Sequence, residues 1–98
     1  MMVANRHRQR PDQMNIRSFE TESFRIRLSK LAEAKTVEEA VFADIIYTAI
    51  SKFGIPEEDF RDAFGLTKGA IERWSQRRNL PQPNIRPKVL AWIKKQLP

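Results

Sequence analysis

Ninety-eight residues, 41% of them apolar and none of them cysteine, suffice for one modest core without staples and exclude a disulfide framework and a thiolate metal site. No apolar run approaches the roughly 20 residues of a membrane span, and no apolar stretch follows the basic first residues, so the expectation is a soluble cytoplasmic protein without an export signal. The net charge of +6 is segregated, with +4 in residues 1–35, −5 in 36–66 and +7 in 67–98; a polyanion-binding face gives such a pattern, as do acids at helix starts and bases at helix ends.

Residues 1–17 are polar and basic, with Arg6, Arg8, Arg10 and Arg17 around Pro11, and are expected to be a flexible tail ahead of a single helical domain over 18–98. Such an arm can track phosphates, or be no more than a loose terminus. Phe24, Leu28 and Leu31 then recur at helical spacing, with Thr21 or Ser23 as caps, which predicts a helix over 21–34. The run Phe24-Arg25-Ile26-Arg27-Leu28 also alternates as a strand does. A basic strand ahead of two helices would resemble a ribbon-helix-helix repressor.

Thr36 and Glu39 have the spacing of a capping box. Val37, Val41, Ile45, Ala49 and Phe53 step by four along one face, widened by Ala40, Ile46 and Tyr47, so a long helix over 36–53 is expected as the spine of the core. Core packing is the default for Phe42 and Tyr47, with a dimer surface as the alternative. Gly54, Ile55 and Pro56 end this helix.

Residues 55–81 read IPEEDFRDAFGLTKGAIERWSQRRNLP. Pro56 suits a first helical position, and Glu57, Glu58 and Asp59 put negative charge at the positive end of the helix dipole. Phe60, Ala63 and Phe64 form one apolar face. Gly65 is expected to end the helix in the left-handed conformation with Leu66 packing back. Thr67 can cap a second helix over 68–78, whose apolar side is Ile71 and Trp74. The three intervening residues, Gly65 to Thr67, predict a steep crossing.

Phe60, Asp62, Ala63, Phe64, Gly65, Leu66, Thr67, Ile71, Arg73 and Trp74, with Arg77-Arg78 and Leu80-Pro81 behind them, resemble the phage-repressor or Cro-like (XRE) helix-turn-helix regulators. The resemblance covers residues 37–97, its specific part residues 60–81. It implies an all-α domain, a compact bundle of about five helices with the motif over 56–78, whose second motif helix reads duplex DNA, usually as a dimer. Two positions depart from the family pattern. A small residue usually stands where Arg61 does, because the motif helices approach there, so Arg61 is expected to snorkel outward or widen the crossing. Gly69 occupies a position often used for base contact. Residues 18–34 exceed the minimal domain and are the candidate dimer element.

Leu80 to Pro87 is a proline-punctuated linker, and Pro87 suits the first turn of a last helix. Its apolar residues are Val89, Leu90, Trp92, Ile93 and Leu97, with Lys88, Lys94 and Lys95 on the other side; Trp74 and Trp92 are read as core.

The candidate DNA-binding residues are Thr67, Lys68, Gly69, Ala70, Glu72, Arg73, Arg77 and Arg78. Thr67 and Lys68 offer a hydroxyl and a cation to a phosphate beside free backbone N–H groups at the helix start. Gly69 and Ala70 are small enough for close approach. Arg73 can address guanine O6 and N7, and Glu72 can accept from cytosine N4, while Arg77 and Arg78 suit backbone phosphates. No catalytic residue, metal or small-molecule cofactor is expected: His7 is the one histidine, and neither a nucleophile elbow nor a phosphate-cradling Gly-rich loop is present. The expected function is a homodimeric, sequence-specific duplex-DNA-binding transcriptional regulator, a repressor. The alternative is a protein-interaction module, such as an antitoxin, that keeps the fold. Single-strand or RNA binding comes third, because the aromatic platforms it needs are not evident.

Overall fold

Between Phe24 and Leu28 the helical reading prevails over the strand. A lone strand would leave its backbone groups unpaired, whereas helical spacing gathers Phe24, Leu28 and Leu31 into one apolar stripe. The segment belongs to α1 (Gln9–Ala32), which starts well before Thr21. The computed structural model describes the backbone of residues 9–98 and the side chains from Ser18 onward. Of the tail expected over 1–17, residues 9–17 have helical backbone, while residues 1–8, His7 included, lie outside the described residues. After α1 come α2 (Glu39–Ser51), α3 (Glu57–Phe64), α4 (Ala70–Ser75) and α5 (Arg86–Gln96). The described chain is thus an all-α bundle of five helices, none long and apolar enough to cross a membrane.

α1 packs chiefly on α5, and α2 on α4. Leu28, Phe42, Ile45, Ile46, Phe60, Ile71, Leu90 and Ile93 are sealed in one core. Aromatic contacts tie its layers together. Phe24 stacks on Phe53 just past α2 with ring centres 4.7 Å apart, and Phe42 meets Trp74 of α4 edge-on at 5.5 Å. Trp92 of α5 lies against Phe60 and Phe64 of α3 at 4.8 and 5.4 Å. Each such pair adds about 0.5–1.5 kcal/mol to the burial itself.

α2 departs from its expected limits. No capping box forms between Thr36 and Glu39: the cap residue is Glu38, and it makes no side-chain cap. The reason lies just before it, where Val37 is buried and its carbonyl oxygen is engaged from outside the helix. Ala40 and Tyr47, expected to widen the apolar face, are exposed, whereas Phe42 and Ile46 are buried.

The group engaging Val37 is Arg86, 7% exposed and without a carboxylate partner among the described residues. Its Nη1 donates to the Val37 carbonyl at 2.7 Å and its Nε to the Pro81 carbonyl at 2.8 Å. A delocalised guanidinium is the cation most easily taken out of water, and two backbone acceptors offset its lost hydration. Arg86 thereby joins the entry to α2, the segment behind α4 and the start of α5. Arg86→Ala leaves both carbonyls without these donors and should cost about 3 kcal/mol, lowering the thermal midpoint by more than about 10 °C in calorimetry. Arg86→Lys should recover only part, since one ammonium does not reproduce the fork.

Candidate nucleic-acid interface

α3 ends as its sequence requires. Gly65 takes φ 65° and ψ 40°, and the Leu66 N–H donates to the Arg61 carbonyl at 3.0 Å, the closure that a left-handed glycine permits. Pro56 is the cap residue rather than the first helical one. Ala63 is exposed, so the buried face narrows to Phe60 and half-buried Phe64. Arg61 does not simply snorkel outward: it is half-buried, and its Nε is shut from solvent without a hydrogen-bond partner among the described residues.

α4 is shorter than its pattern predicts. It spans six residues, about 9 Å at 1.5 Å per residue, instead of reaching from Lys68 to Arg78. Gly69, at φ 87°, is its cap residue, and Thr67 makes no side-chain cap. The chain therefore needs five residues, 65–69, to pass from α3 to α4, not three. At the other end Arg77 and Asn79 are left-handed, with φ 64° and 50°, so Arg77 and Arg78 lie in a loop beyond the helix. The phosphate site expected at Thr67 and Lys68 is not built as such. The Ala70 N–H already bonds to the Thr67 carbonyl at 3.2 Å, and so short a helix lacks the aligned dipoles of a longer one.

The eight sequence-chosen residues separate accordingly. Ala70 is buried in the core and takes no part in an outer face. Thr67, Lys68, Glu72, Arg77 and Arg78 are exposed, and Gly69 and Arg73 half-buried. Gly69 and Arg73 do come together: Arg73 Nη1 lies 3.1 Å from where a Cβ on Gly69 would stand. The bare backbone of Gly69 makes room for the guanidinium at the start of α4. Glu72, the lone acid of residues 67–98, lines a groove of about 420 Å³ with Tyr47, Ile50, Glu57 and Ile71.

Gln76, absent from the sequence-chosen set, is exposed one turn after Glu72. Its Oε1 accepts from Arg78 Nε and Nη2 at 3.1 and 2.7 Å. A glutamine amide can address adenine N6 and N7, and the i+4 step from Glu72 was the available signal. Trp74 is buried, and its Nε1 donates to the Asn79 carbonyl at 3.1 Å, which fixes the loop carrying Arg77 and Arg78. Among the described residues Lys68, Arg73 and Arg77 make no ion pair; the ion pairs, Glu22–Arg25, Asp44–Arg27 and Glu20–Lys52, lie on or beside α1 and α2.

Gly69→Ala should cost about 1–2 kcal/mol, the left-handed penalty of a Cβ, and should push Arg73 aside. Gly69→Asn, which tolerates that conformation, should regain most of the stability while still displacing the guanidinium. Thermal midpoints and the Arg73 side-chain NMR signal read the two effects separately; an unmoved Arg73 signal in both variants would contradict the coupling.

Compared with known proteins, the chain matches no family model, no curated protein and no solved structure.

Proposed function

We propose that the protein is a sequence-specific, duplex-DNA-binding transcriptional regulator, a cytoplasmic repressor that lays α4 and the loop behind it in the major groove. Charge placement is the observation that supports this. Residues 67–98 carry a net +7, and α4 with its flanking turns offers Lys68, Arg73 and Arg77, none ion-paired among the described residues. On this reading Arg73 and Gln76 address base edges. Thr67, Lys68, Arg77 and Arg78 serve the phosphates that set register. Six helical residues cover only a few base pairs, so a homodimer on a two-fold site doubles the readout. The resemblance of residues 60–81 to the Cro-like regulators points the same way.

A second reading, a protein-interaction module, draws on Tyr47. This ring is 63% exposed beside the groove that Ile71 and Glu72 line, and exposed aromatics are favoured at protein interfaces. Tyr47→Ala separates the readings, because it leaves duplex affinity unchanged if α4 and its loop do the binding.

Binding to duplex DNA should depend steeply on salt. With about five phosphates neutralised, log K should fall against log salt with a slope of about −4 to −5, and a flat titration would count decisively against the proposal.

Readout and anchoring should also divide within the interface. On a duplex selected from a random pool, Arg73→Ala should cost about 1–3 kcal/mol and little on unrelated duplex. Arg77→Ala should weaken both alike. Equal losses from Arg73→Ala on both duplexes, at one salt concentration and with the fold verified, would remove α4 from the reading role.

A further inference from the structure

Three helices meet around the groove of about 420 Å³ beside Tyr47. α2 lends it Tyr47, Ile50 and Ser51, α3 its first residue, Glu57, and α4 Ile71, Glu72 and Ser75. Ile50 and Ile71 give it an apolar side, and the Tyr47 ring, 63% exposed, is left largely uncovered. Among the described residues neither Glu57 nor Glu72 is ion-paired. Helix dipoles account for the two acids poorly, because Glu58 and Asp59 already serve the start of α3 and α4, six residues long, has little dipole to offset.

Hydrogen-bond polarity narrows what can enter. The Ser51 hydroxyl donates to the Tyr47 carbonyl at 2.7 Å, and the Ser75 hydroxyl to the Glu72 carbonyl at 2.8 Å. With their single protons committed, both oxygens are left to the groove as acceptors, like the oxygens of the two carboxylates. Apart from the Tyr47 hydroxyl, the lining side chains therefore offer acceptors alone. A phosphate is repelled here, so the groove does not continue the cationic strip of Lys68, Arg73 and Arg77. A metal ion is unsuited too, since the described residues gather no group of three or more His, Cys, Asp or Glu that could hold one. The matching ligand is cationic, rich in donors, free of acceptors and carried on an apolar stem.

Among side chains that description fits arginine. Its guanidinium has donors in a planar fork and no acceptor, which suits carboxylates on either side, and its flat face stacks on an aromatic ring. Its methylene stem can lie along Ile50 and Ile71. We infer that the groove receives an arginine from a basic segment of a partner protein, held between Glu57, Glu72 and the Tyr47 ring. A groove of about 420 Å³ is of the size that takes whole ligands, which leaves room for the neighbours of that arginine. The site stands whether or not α4 reads DNA, and it gives Tyr47 and Glu72 a use that DNA reading does not. Its test therefore contains no DNA.

Tyr47 is the one tyrosine of the chain, so ring-labelled tyrosine gives a single NMR signal that reports on the groove in the full protein. The probe is a blocked leucine-arginine-leucine peptide. The Tyr47 signal should move saturably, with a dissociation constant in the millimolar range that a few exposed contacts allow. Citrulline in place of arginine keeps the shape and removes the charge, and should bind at least about tenfold more weakly. Blocked arginine alone, lacking the neighbours that a chain segment supplies, should bind at least about threefold more weakly than the peptide. Combining Glu57→Gln with Glu72→Gln should weaken the peptide about tenfold; circular dichroism should show unchanged helix content, since both side chains are exposed. A Tyr47 signal that the peptide does not move overturns the inference, whether the groove is idle or already filled by basic residues of the chain itself or of a second copy. So does equal binding of the citrulline peptide or of arginine alone, or a double variant that binds as well as the wild type.

Discussion

A helix of six residues cannot hold its own orientation, because in water so short a segment does not offset the cost of nucleating it. The position of α4 therefore depends on Trp74. Its ring meets Phe42 of α2 edge-on, and its indole N–H reaches past the end of α4 to the carbonyl of Asn79. One side chain thus fixes both the helix and the loop that follows. Arg86 completes the arrangement by holding the Pro81 carbonyl from below. The cationic strip is carried by buried groups that include none of its own charges, so its chemistry can be altered without dismantling its support.

Gly69 and Arg73 form one unit within that strip. By family pattern Gly69 reads as a lost contact residue, and Arg73 as a free reader. In the folded chain the guanidinium of Arg73 occupies the space a Cβ on Gly69 would crowd. Removing a side chain at one position thus gives another a defined resting place, which lowers the entropy lost when it engages a partner. Glu72 stands apart from this, lining the Tyr47 groove together with Glu57.

Features set by local chemistry were legible in the sequence. Gly65 and Gly54 end their helices in the left-handed conformation, Pro87 sits in the first turn of α5, and Trp74 and Trp92 pack inward because nothing but the core suits their spacing. What was not legible depends on distant parts of the chain. Thr36 and Glu39 have capping-box spacing, but Arg86, some fifty residues on, engages the adjacent Val37 carbonyl. The limits of α4 are set by left-handed backbone at Gly69, Arg77 and Asn79, and no apolar period marks where such a residue will fall. Ile46 widens the buried face of α2 as its spacing implied, but the face stops short of Ala40 and Tyr47, which are exposed. Of the candidate site, the exposed cations could be read from charge alone, whereas the burial of Ala70, the folding back of Arg73 and the part played by Gln76 required the packed structure.

The pairing of α1 with α5 joins elements at opposite ends of the described chain, and this bears on the order in which the molecule can be made. Phe24 finds Phe53 early, but α1 packs chiefly on α5 and waits for it. At about 5–20 residues per second of synthesis, the interval between Leu31 and Leu97 lasts roughly 3–13 s, during which a nascent α1 has only the Phe24 end of its inner face covered. The core therefore closes only once α5 has emerged from the ribosome, and until then the buried stripe of α1 is open to holding factors.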